Sequence, residues 1–137
     1  MLNASQLGFD KSLVLKCLVV AHGKGAELEP EKFTDKDGDE LLEAIESSWT
    51  QAEEAFRQLA DFIDRDLKLY SPKAIRTFNS FVSLFDYLYH NPRPDEPTRN
   101  LMRGFHYKAQ LFGWFGAQTD NIINALHTRM GKRVPAF

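Results

Sequence analysis

From Leu41 to Leu67 the apolar side chains Leu41, Leu42, Ile45, Trp49, Ala52, Phe56, Leu59, Ala60, Ile63 and Leu67 recur mainly at spacings of three and four. An α-helix, at 3.6 residues per turn, gathers such positions onto one face, so the spacing predicts one long amphipathic helix from Asp39 to about Leu67. Most of the stability of such a helix comes from packing its apolar stripe, which must therefore lie against other elements of the chain.

The remaining segments read as helical partners. Leu13, Leu15, Leu18, Val19 and Val20 predict a helix starting near Asp10 and stopped by Gly23 and Gly25. The segment Ala26 to Gly38, with Pro30, several charges and the apolar Phe33, reads as a loop with Phe33 as its plug onto the core. Ser71 as N-cap and Pro72 in the first turn predict a helix running to about Tyr89. Asn91, Pro92, Pro94 and Pro97 then make a rigid connection. Leu101, Met102, Phe105, Ala109 and Phe112 mark a further helix, ended or bent by Gly113 and Gly116. Thr119 caps a last one through Ile122, Ile123, Leu126 and Met130, with Gly131 as its stop. No run of alternating β-branched residues, hairpin turn or internal repeat is present. The expectation is an all-α, single-domain bundle of about five helices over residues 1–137.

Ten of the seventeen aromatic residues fall between Phe78 and Phe115, at helical spacing. This block reads as the core of the bundle. With 43% hydrophobic and 26% charged residues, the chain suits one globular domain that buries most of its apolar side chains without disulfides. Cys17 has no second cysteine to pair with and sits in the apolar run Leu13 to Val20, so it reads as a small buried hydrophobe. No signal-peptide pattern is seen, and no apolar run approaches the roughly 20 residues needed to span a bilayer. The expected compartment is cytoplasmic.

Charge is distributed unevenly. Residues 1–67 hold seven Lys/Arg against fifteen Asp/Glu, a balance of −8, whereas residues 68–137 hold ten against four, a balance of +6. A basic half is the electrostatic footprint of nucleic-acid contact, and equally that of a solvated face or of one meeting the acidic half. On the Leu101 to Phe112 helix, Arg99, Arg103, His106 and Gln110 form a polar stripe opposite Leu101, Met102, Phe105 and Phe112. Arg99, Arg103, His106 and Lys108 are the candidate nucleic-acid-binding residues, with Arg129, Lys132 and Arg133 adding positive charge farther along.

No catalytic or metal constellation stands out, and no enzyme activity, cofactor or metal is expected. Asp35, Asp37, Asp39 and Glu46 match the first, third, fifth and twelfth positions of a calcium loop, but Glu40 occupies the sixth, where a glycine is needed for the sharp turn. His22, His90, His106 and His127 lie on separate elements without an established zinc spacing. His22 and His90 stand at helix ends, where they can bond last-turn carbonyls. Gly23 and Gly25 lack the strand, helix and Lys-Ser/Thr pair of a phosphate loop, and no serine sits in a nucleophile elbow.

The aromatic block also carries a resemblance. From Ile75 through Phe78, Phe81, Phe85 and Tyr87 to Leu88, an aromatic-polar start leads into an apolar stretch. From Leu101 through Arg103, Phe105, Tyr107 and Phe112 to Phe115, an arginine, an aromatic pair, a small-residue turn and another aromatic follow. The polar stretch Thr119 to Asn124 comes next. This order resembles the C-terminal helical part of the DGQQR-type, ParB-like nuclease-domain family, which includes the GmrSD-type modification-dependent restriction proteins that cut modified phage DNA. The resemblance spans about Leu13 to Leu126.

That family's chemistry resides in an N-terminal domain bearing the Asp-Gly-Gln motif, sometimes with a C-terminal His-Asn-His domain. Here Asp37-Gly38 is followed by Asp39, and no His-Asn-His pattern follows Leu126, so no catalytic residue carries over. The resemblance implies a noncatalytic helical module parted from a longer protein, acting by protein docking or DNA contact. Its partners would be the missing nuclease domain, a homologous subunit in a homodimer, or DNA. Two readings without a DNA role stay open, an oligomerising or partner-binding domain and a small-ligand pocket between the aromatic helices.

Overall fold

The computed structural model describes residues 10–23, 36–68, 75, 78–112 and 119–130. Among them the chain forms six helices and no strand: α1 (Lys11–Ala21), α2 (Lys36–Ser47), α3 (Trp49–Asp61), α4 (Asn79–His90), α5 (Glu96–Phe112) and α6 (Thr119–Met130). The fold is all-α, as the periodicity predicts. None of these helices is long and apolar enough to cross a membrane.

The bundle is organised around α4. Every residue from Ser80 to Tyr89 is buried, and α1, α3, α5 and α6 all pack against this one helix. A helix buried on all sides, its polar Ser80, Ser83 and Asp86 included, is surrounded by its neighbours. Phe81, Leu84, Phe85 and Leu88 are almost wholly removed from solvent, each side chain contributing about 1.5–3 kcal/mol by burial. Around them Val19 and Val20 of α1, Leu59 of α3, Met102 and Phe105 of α5 and Ile123 of α6 close the core. Phe56 adds a ring contact with Phe85, centroids 4.2 Å apart.

Local chemistry sets most boundaries. Asp10 Oδ1 accepts the Leu13 N–H at 2.8 Å and caps α1, whose other end closes where Gly23 adopts φ 73 and donates its N–H to the Val20 carbonyl at 2.9 Å. Cys17 is buried on α1, as its apolar surroundings predict. Lys68, at φ 53, stands just past the Asp39 to Leu67 region, which ends in a π-helical turn, Phe62–Asp66, closed by Leu67 N–H to Phe62 O at 3.0 Å.

Three sequence expectations are corrected. The single helix from Asp39 to Leu67 is two, with an earlier start at Lys36 and a break at Ser48, whose φ of −107 and ψ of 17 leave helical values. The Oγ atoms of Ser47 and Ser48 both donate to Ala44 O, at 3.1 and 2.7 Å, competing with the backbone for that acceptor, and His22 Nε2 lies 3.1 Å from Ser48 Oγ. Trp49, counted in the apolar stripe, is 48% exposed at this junction.

The helix expected from Ser71 is described only from Asn79, with Ile75 buried and non-helical; Ser71 and Pro72 lie outside the described residues. Pro97 belongs to α5 rather than to the connection. Asp95 Oδ1 accepts the Thr98 N–H at 2.9 Å, starting the helix one residue before the proline, whose missing N–H costs nothing in a first turn.

Phe33, Gly25, Trp114, Phe115, Gly113, Gly116, Gly131, Lys132 and Arg133 lie outside the described residues, as do the side chains of Phe112, Arg129 and Met130. So does Asp35. The other acidic positions of the calcium-loop match, Asp37, Asp39 and Glu46, lie along the continuous helix α2, which is not the backbone of a cation-binding loop.

Candidate functional site

Helix α5 carries the candidate nucleic-acid residues, and the structure divides them. Arg99 and Arg103, one turn apart, reach the same carboxylate on the π-helical turn: Arg99 Nε is 3.9 Å from Asp66 Oδ2 and Arg103 Nη1 3.8 Å from Asp66 Oδ1. Arg99 Nη1 also donates to Pro94 O at 3.2 Å. Both guanidinium groups remain partly exposed, and both approach the Asp66 carboxylate. Lys108 is partly buried on another side of the helix.

His106 and Gln110 are not on a solvated stripe. His106 is 1% exposed and stacks on Phe81, centroids 4.8 Å apart, while Gln110 is buried beside it. Gln110 Nε2 donates to Ser80 Oγ at 3.3 Å, and Ser80 Oγ lies 3.1 Å from His106 Nδ1. The relay is complete when the Ser80 hydroxyl donates to an unprotonated Nδ1, and burial drives the imidazole to the same neutral state, lowering its pKa to about 4. A neutral ring sealed in the core makes no phosphate contact, so His106 is removed from the candidate interface.

The outer face of α5 carries exposed apolar side chains among polar ones. Leu101, assigned by its spacing to the core stripe, is instead 41% exposed, with Tyr107 at 45% and Leu111 at 71%. Spacings of three and four place Leu101, Gly104, Tyr107 and Leu111 on one side, away from the buried Met102, Phe105, His106 and Ala109. Among the described residues, a Cβ added at Gly104 would meet nothing within 4 Å.

A second constellation was missed by the sequence reading. Asp86 and His90 stand one turn apart on α4, and α6 brings His127 to them; among the described residues these three offer ligand atoms that all lie within 4.8 Å of one another. His127 Nδ1 is 2.7 Å from Asp86 Oδ2, and His90 Nε2 is 3.0 Å from Ala21 O and 3.4 Å from Asp86 Oδ1. The 3.4 Å approach has the length of an ion pair but not the alignment of a hydrogen bond, leaving Oδ1 buried without a hydrogen-bond partner. Such an acceptor forfeits on the order of 1–3 kcal/mol.

Burial raises the Asp86 pKa, and the charge and hydrogen bond of His127, then the charge of His90, pull against that rise. Cys17 feels the same carboxylate: burial first and the Asp86 charge second hold its thiol far above the ordinary range, so it is neither a thiolate nucleophile nor a ready soft ligand. His22 bonds a last-turn carbonyl as its position predicts, Nδ1 lying 2.8 Å from Leu18 O. His90 does so across the bundle, on α1.

Two surface clefts flank α3. One of about 510 Å³ lies between Gln58, Asp61 and Asp66 on one side and Arg93, Pro94 and Arg99 on the other; Arg93, at φ 58, is held there by donating its N–H to Gln58 Oε1 at 2.8 Å. The other, of about 460 Å³, is lined by Ser48, Gln51, Leu88, Tyr89 and Pro92. Both lie along α3. Comparison with protein-family models, with curated proteins and with solved structures finds no match to this chain.

Proposed function

We propose that the chain is a noncatalytic helical module, related to DNA-restriction and phage-defence proteins, that docks a protein partner through the outer face of α5. The observation that carries this reading is the exposure of Leu101, Tyr107 and Leu111 on one side of a helix whose other side is already filled by the core. Water-facing leucines spaced along a helix are the anchors by which an apolar groove holds it. The partner is a domain bearing the Asp-Gly-Gln nuclease motif, which the resemblance of the aromatic block supplies and this sequence lacks.

Isothermal titration of the chain with a ParB-like nuclease domain encoded in the same genome tests the reading. Saturable binding to the wild type and a loss of at least tenfold in the Leu101→Glu/Leu111→Glu variant, with its helical circular dichroism unchanged, support it. Absence of binding, or binding indifferent to the double variant, refutes it.

A second reading, DNA contact, is favoured by the two guanidinium groups of Arg99 and Arg103 set against the single carboxylate of Asp66. If both meet phosphates, replacing them with Ala reduces the slope of log affinity against log salt by roughly 2, near 0.9 per phosphate contact. Fluorescence anisotropy with duplex DNA across a salt series measures it, and an unchanged slope removes the arginines from any interface.

A further inference from the structure

We infer that Asp86, His90 and His127 form a binding site for one divalent transition-metal ion of the zinc type. Two imidazole nitrogens and a carboxylate oxygen are the donor set such ions take, and hard cations such as magnesium or calcium, which prefer oxygen throughout, are poorly served by it. The three donors lie within 4.8 Å of one another, close enough for one ion to reach all of them. Metal bonds of about 2.0–2.1 Å put tetrahedral donors about 3.3 Å apart. Here the separations are 2.7 Å for His127 Nδ1 and Asp86 Oδ2, 3.4 Å for His90 Nε2 and Asp86 Oδ1, and 3.0 Å for His90 Nε2 and Ala21 O. A rotation of the His127 ring that moves Nδ1 by about 0.6 Å opens the shortest of these.

Asp86 supplies the independent sign of a ligand. Its side chain is 3% exposed, yet Oδ1 has no hydrogen-bond partner, an arrangement that a cation at this point satisfies directly. The site is supported by packed helices: Asp86 and His90 share one face of the central α4, α6 holds His127, and the end of α1 offers the Ala21 carbonyl as a fourth donor. His90, the outermost of the three, has a side chain 40% exposed and leaves a path for the ion from solvent. Bound there, the ion ties α6 and the end of α1 to the central helix, and its charge offsets that of the buried carboxylate.

The test uses the full chain, stripped with a chelator and titrated with ZnCl₂ and with CoCl₂. One equivalent of each is expected to bind, with visible d–d absorption for cobalt and a melting temperature that rises with zinc and falls again with chelator. His90→Gln and His127→Gln are each expected to weaken binding at least tenfold, while His22→Gln, at an imidazole outside the cluster, leaves it unchanged. If His127→Gln loses its helical circular dichroism, His90→Gln decides alone, because the His90 ring is at the surface. Absence of saturable binding, retention of full affinity in His90→Gln, or an equal loss in His22→Gln overturns the assignment.

Discussion

His106 ties the fold to a quantity that can be measured without knowing the partner. Its ring is sealed between Phe81 and the Ser80 relay, and burial lowers its pKa from the ordinary 6.5 to about 4. As pH falls, the unfolded chain takes up this proton first. The stability contributed by the neutral ring is therefore fully present above pH 6.5 and is lost progressively down to about pH 4. The whole shift corresponds to about 3 kcal/mol at 1.36 kcal/mol per unit, and about 2 kcal/mol of it is lost between pH 7 and pH 5.

Urea denaturation of the wild type and of His106→Gln at the two pH values isolates the effect. All other ionisable groups are common to both proteins, so their contributions cancel when the two pH dependences are subtracted. The wild type is expected to lose about 2 kcal/mol more than the variant on acidification. Equal losses, within about 0.5 kcal/mol, would show that His106 is hydrated in solution and that the core has been drawn wrongly around it.

Phe81→Ala, which empties a fully buried site on the central helix, should cost about 3–5 kcal/mol in the same urea assay; a cost under about 1 kcal/mol would contradict the placement of α4. Ser83→Ala removes a buried hydroxyl that lacks a hydrogen-bond partner and should leave stability unchanged or raise it by up to about 1 kcal/mol, whereas a clear loss would reveal a hidden acceptor. Gly104→Ala adds a methyl to a helix interior where, among the described residues, nothing stands within 4 Å, and thermal melts should show a gain of about 0.5–1 kcal/mol; destabilisation would mean that the outer face of α5 is already covered.

What the sequence made legible was what depends on neighbours along the chain. Asp10 and Gly23 mark helix ends through a cap and a glycine conformation that act within one turn, and the apolar spacing is a property of the helix itself. Ser48 was not legible, because its break arises where two adjacent hydroxyls compete for one carbonyl beside a histidine from another helix. His106 was misread for a related reason: a polar residue flanking an apolar stripe counts as solvated unless the neighbouring helix supplies partners, and Ser80 and Phe81 do so. The metal-ligand cluster carried half a signal. Asp86 and His90 are one turn apart and readable as a pair on one face, but the approach of His127 is set by the packing of α6 on α4.

The proposal that α5 docks a nuclease-bearing partner is tested most directly by methyl NMR. Spectra of the leucine-labelled chain are recorded while an Asp-Gly-Gln-bearing ParB-like domain is added. The account predicts shifts at the Leu101 and Leu111 methyls that saturate together, with the core methyls of Leu84 and Leu88 left in place. Unmoved Leu101 and Leu111 signals at saturating partner, or shifts confined to other faces, would contradict it.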